Sequence, residues 1–62
     1  MNEKTKEEIM VILELLRSCL IKNGVSMGLE FSNKEILFFD TDTYLNEKKF
    51  DGFSVNTDGL VN

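Results

Sequence analysis

Sixty-two residues make one domain, and a single cysteine with no histidine excludes an intrachain disulfide and any histidine- or thiolate-based zinc site. A chain this short buries only about 60% of the surface its unfolded form exposes, so a stable core calls for very good packing or a second copy. Residues 1–22 balance four basic against four acidic side chains, and the net charge of −4 falls on residues 23–62, which show no basic surface for displacing nucleic-acid counterions.

The composition, 42% hydrophobic and 29% charged, is that of a folded domain. After a polar lead, residues 5–24 read as an amphipathic helix. Thr5 and Glu8 have capping-box spacing, Glu7 and Glu8 sit at the positive end of the dipole, and Lys22 sits at the negative end. Asn23-Gly24 supplies the stop, with Gly24 suited to a left-handed cap. Ile9, Ile12, Leu13, Leu16, Cys19 and Leu20 form one stripe at helical spacing, and these are expected to face the chain's own sheet. Val11 and Leu15 widen that stripe to about 200°, well beyond the arc needed to rest on one sheet. Met10 and Ile21 lie on the far side. Met10, Val11, Leu15 and Ile21 are therefore candidate partner-facing residues. Cys19 reads as a small hydrophobe within the stripe.

The same run has the order of a signal segment, yet Glu14, Arg17 and Lys22 interrupt it and no small-residue cleavage pattern follows. No membrane role is expected, and with a free thiol the expected compartment is the cytoplasm.

From Val25 the period changes to two. Val25, Met27, Leu29 and Phe31 alternate with Ser26, Gly28 and Glu30, as in a strand with one buried face. Ser32-Asn33-Lys34-Glu35 closes a hairpin, and the wholly apolar Ile36-Leu37-Phe38-Phe39 reads as a central strand. Thr43-Tyr44-Leu45 fits either a short helix or an extended piece, and residues 46–49 read as a turn. Residues 50–55 suggest a third strand. Asn56-Thr57-Asp58-Gly59 makes another turn, after which Leu60 and Val61 would pin the end to the core.

One stretch carries a chemical signature. Ile36-Leu37-Phe38-Phe39-Asp40-Thr41-Asp42 resembles the first motif of the haloacid dehalogenase-like hydrolases, a buried apolar strand ending in D-x-D. In that family the first Asp is the phosphoryl acceptor and the second an acid/base beside magnesium, roles that would fall by position on Asp40 and Asp42. Thr43 and Tyr44 stand where the family commonly has Gly and Thr, and the match covers about ten positions of a fold that needs a doubly wound sheet. An EF-hand reading fails as well, because Tyr44 and Leu45 occupy its fifth ligand and glycine positions. Asp40 and Asp42 remain weak candidates for a divalent cation. No cofactor is implied.

The fold expected is α+β, with one N-terminal amphipathic helix packed on a small antiparallel sheet of two or three strands, α-β-β-(β), in a homodimer. The function expected is a small acidic non-enzymatic interaction module, of adaptor or inhibitor type, that also meets a larger protein partner. Phe50 and Phe53 join the helix residues as interface candidates. The alternatives are a metal-binding or phosphoryl-transfer-like fragment using Asp40 and Asp42, and a subunit of an obligate complex.

Overall fold

A computed structural model describes residues 1–60. Helix α1 spans Glu3–Asn23 and starts ahead of the expected Thr5–Glu8 box. Asn2, in extended backbone, is the N-cap, and its Oδ1 accepts a hydrogen bond from Thr5 N–H at 2.8 Å. Both Asn2 and Thr5 are competent caps. The earlier one wins because it adds helical hydrogen bonds and brings Glu3 into the first turn, at the positive end of the dipole. At the other end Gly24 takes the left-handed conformation (φ 64°, ψ 37°), and its N–H points at the carbonyls of Ile21 and Leu20.

Strand β1, Val25–Glu30, follows Gly24 directly. It pairs antiparallel with β2, Glu35–Asp40, across a tight connection in which Lys34 has positive φ (55°) and donates its N–H to Phe31 O at 3.3 Å. Phe31 thus belongs to the connection, not to the strand. Asp40 then caps a short helix α2, Thr41–Glu47, which settles the ambiguous 43–45 segment in favour of helix. Asn46 and Glu47 complete that helix, and the turn expected at 46–49 begins only at Lys48, whose φ is 58°. Strand β3, Gly52–Asn56, pairs antiparallel with β2 and gives the order β1-β2-β3. Phe50 precedes β3. The turn expected at 56–59 forms one residue later. Asn56 ends β3, its Oδ1 accepting from Asp58 N–H at 2.7 Å, and Leu60 N–H closes the turn on Thr57 O at 2.9 Å with Gly59 at φ 88°. Thr57 donates both its N–H and its hydroxyl to Lys34 O, tying the end of β3 to the hairpin. Leu60 remains 67% exposed, and Val61 lies outside the described residues.

The register sorts the sheet into two unlike faces, since directly opposed residues share a face. On one face Met27 opposes Phe38 and Leu29 opposes Ile36, while Phe38 and Ile36 in turn oppose Phe53 and Val55. All six are apolar, and the Phe38 and Phe53 rings stack at 5.4 Å. The other face carries Ser26, Gly28 and Glu30 beside Phe39, Leu37 and Glu35, with Gly52, Ser54 and Asn56 beyond. There the Phe39 ring sits 5.2 Å from Tyr44 of α2 and 5.9 Å from Phe50. Ser26 Oγ and Thr41 Oγ1 share a 2.6 Å hydrogen bond that holds the start of α2 to β1.

Among the described residues none is buried. The body measures 44 × 28 × 12 Å. Helix α1 meets the sheet only near its C-terminal end, where Leu16, Cys19, Leu20 and Asn23 flank an open crevice of about 350 Å³ against Val25, Phe38 and Phe53. Leu16 and Leu20 are half-buried, whereas Ile9, Ile12 and Leu13 are exposed. The expected division into an inward stripe and an outward surplus therefore holds around the helix only at this end, where Leu15 and Ile21 stay exposed beside Leu16 and Leu20; further out, both sets are exposed. Gly24 explains this. A single linking residue is shorter than the usual two to six of a helix–strand connection, so the helix end stays anchored at β1 and the rest runs on.

Candidate functional site

The D-x-D pair is a helix start. Asp40 Oδ2 accepts hydrogen bonds from Thr43 Oγ1 at 2.7 Å and Thr43 N–H at 2.9 Å. The N-cap role uses the same spacing that imitates a catalytic motif. Asp42 lies exposed in the first turn of α2, where its charge complements the helix dipole. The Thr43 hydroxyl first, and its N–H second, hold the Asp40 carboxyl below its ordinary range. A depressed carboxyl stabilises the fold above its unfolded-state value and loses that contribution as pH falls through the folded one. Asp40→Asn keeps a good N-cap without the charge. The variant is expected to match the native protein at neutral pH and to lose less stability in acid, below about pH 3.9. Urea titrations along that pH series read the difference.

At the hairpin end, Glu30, Glu35, Asp58 and Lys34 line a concavity of about 410 Å³. Two of its three carboxylates serve local structure: Glu30 accepts from Ser32 N–H at 3.0 Å and Glu35 from the Ser54 hydroxyl at 3.1 Å. Among the described residues no group of three His, Cys, Asp or Glu is placed to hold a metal ion.

The interface candidates fall in three places. Met10, Val11 and Leu15 line one shallow groove with Glu14 and Ser18 along α1. Ile21 stands apart from that groove, 75% exposed near the helix end. Phe53 belongs to the apolar sheet face beside the crevice, 62% exposed. Phe50 lies on the opposite side of the sheet, against Phe39. The structure therefore does not gather them into one surface.

It gathers a different set. Met27, Leu29, Phe53 and Val55 leave the apolar sheet face substantially exposed, and Ile9, Ile12 and Leu13 do the same for the outer part of α1. Apart from Asp40, which opposes Val25 at one end of that face, its directly opposed residues are apolar. The total accessible surface is 5430 Å². A compact monomer of 7.1 kDa exposes about 4,100 Å², so this chain carries roughly 1,300 Å² in excess. Period-two alternation marked these sheet residues as inward, and they are inward in pattern. What the alternation could not register is that, among the described residues, only the C-terminal end of α1 reaches this face, beside Phe38 and Phe53. The one-residue Gly24 link was the available signal.

Exposed Cys19 offers its thiol at the crevice, with Asn23 Nδ2 3.6 Å from Sγ. Among the described residues no helix is long and apolar enough to cross a membrane. Glu14 and Arg17, paired at 3.1 Å on the helix surface, interrupt the apolar run. The chain matches no family model, no curated protein and no solved structure.

Proposed function

We propose that this protein is a small acidic, non-enzymatic interaction module that self-associates and works through its open apolar face. The observation that supports the reading most is the excess of accessible surface in a chain none of whose described residues is buried. Monomeric proteins seldom leave contiguous apolar patches larger than a few hundred Å² uncovered, and larger ones mark interaction sites. An adaptor or inhibitor role follows the same logic, with a larger protein docking where the associated module still leaves apolar surface. The acidic residues 23–62 favour a basic protein surface over nucleic acid as such a partner. A free exposed thiol fits a reducing compartment such as the cytoplasm.

A matched pair of variants tests this reading. Leu29 and Leu45 are 58% and 59% exposed, but only Leu29 lies on the apolar sheet face. Leu45→Glu, on α2, is expected to change stability by no more than about 0.5 kcal/mol, as ordinary surface substitutions do. Leu29→Glu places an unpaired carboxylate under whatever covers the face and is expected to cost about 3 kcal/mol or more. Chemical denaturation measures both. Equal, small effects would show that the face is idle and end the proposal.

A further inference from the structure

The apolar face needs an occupant, and the chain's own features specify one. We infer that two copies associate about a two-fold axis, each laying the outer part of its α1, through Ile9, Ile12 and Leu13, over the other's sheet face at Met27, Leu29 and Val55. This rests on the interaction-module reading and names the partner and the surfaces that meet.

Three observations carry it. The first is area. Obligate homodimers bury about 2,000–5,000 Å² in total, or 1,000–2,500 Å² per chain, and the excess of roughly 1,300 Å² falls inside that range. A β3-to-β3 edge pairing would join two sheets yet leave both the sheet face and the helix stripe in water. The second is size. A compact chain of 62 residues has a radius of gyration of about 10.6 Å and one of twice that length about 13.7 Å. The value here is 13.9 Å. One copy thus has the spread of a compact body built from two, which is the shape expected of a subunit whose open spaces the second copy fills.

The third is self-complementarity, which a two-fold contact requires because each copy must present both halves of the interface. This chain has an uncovered sheet face and, separately, an uncovered helix segment with its apolar residues at i, i+3 and i+4. Residues 3–13 of α1 span about 16 Å at 1.5 Å per residue. A six-residue strand spans about 20 Å, so the two surfaces match in length. Stacking helix on sheet also completes the second layer that a stable α+β domain requires.

Isotope-filtered NMR on a co-refolded mixture of carbon-13-labelled and unlabelled chains reads contacts between copies alone. The expected result is methyl contacts from Ile9, Ile12 and Leu13 of one copy to Met27, Leu29 and Val55 of the other. Contacts between copies confined to helix against helix, or to strand edges, would overturn the arrangement while leaving self-association standing. Absence of any contact between copies, with the mass of a single chain, would overturn the pairing altogether. In that event strong binding of a hydrophobic dye would show the face open for a different protein, so that the docking reading survives. Failure to bind the dye would end that reading too.

Discussion

Gly52→Ala is expected to detach the start of β3 from the sheet. A Cβ built at Gly52 would overlap the carbonyl oxygen of Phe38 and lie 2.7 Å from Phe39 Cα. Both neighbours are backbone of the central strand, so neither can swing aside as a flexible side chain would. Relief requires either that β3 peel away from Phe39, its register partner, or that β2 bend. Overpacking of this kind costs about 1–3 kcal/mol, and a clash with backbone belongs at the upper end. For a chain of this length total stability is about 3–9 kcal/mol, so the loss is a large fraction of the whole. It also reaches the apolar face, because Phe53 follows immediately and stacks on Phe38. Gly28→Ala is the control. Its Cβ would meet only the Phe39 ring, at 3.6 Å, an ordinary contact, and its φ is not positive. Alanine there is expected to stabilise the strand by about 0.5–1 kcal/mol through the lower flexibility of the unfolded chain. Urea denaturation separates the pair by sign. Equal effects would mean that β3 does not approach β2 as closely as the structure has it.

The second large effect concerns association. If two copies cover one another, the unfolding midpoint of the native chain rises with protein concentration, because association stabilises only the folded form. Ile12→Gln is then expected to lower stability by about 2 kcal/mol or more, as removal of a covered aliphatic side chain does. Ile12 is 63% exposed in the single chain. Without a partner the same change is a surface substitution worth at most about 0.5 kcal/mol, and glutamine keeps nearly the same helix propensity. The variant is further expected to shift the population towards single chains.

Local chemistry made much of the fold legible. Gly24 as a left-handed cap and the central placement of the apolar β2 each rest on a few neighbouring residues, and each is found where their types require. The hairpin forms too, but one residue early, at 31–34, with Glu35 already paired to Glu30 in β2. The helix start was displaced because Asn2 and Thr5 both satisfy the rules for a cap, and the choice between them depends on summing the whole first turn. Phe31 and Phe50 fell outside their strands because side-chain alternation continues past the last ladder hydrogen bond. The Asp40–Thr43 pattern was visible, but two carboxylates after an apolar strand suit a helix cap as readily as a phosphoryl site. The Thr43 hydrogen bonds show the cap.

The candidate surface was harder to read. Periodicity assigns a residue to a face without saying whether the same chain covers that face. It therefore marked Met10, Val11, Leu15 and Ile21 as surplus around the helix, while the structure also leaves Ile9, Ile12 and Leu13 uncovered along it. The sheet residues Met27, Leu29 and Val55 carried no sign of exposure in their own pattern.

Sedimentation equilibrium of the unmodified chain, from low to high micromolar concentration, is the most direct test of the claim that this apolar face is covered by association. The predicted result is a mass of twice 7.1 kDa, falling towards one chain only at the lowest concentrations. A single mass of 7.1 kDa throughout, in a chain that unfolds cooperatively, would contradict it.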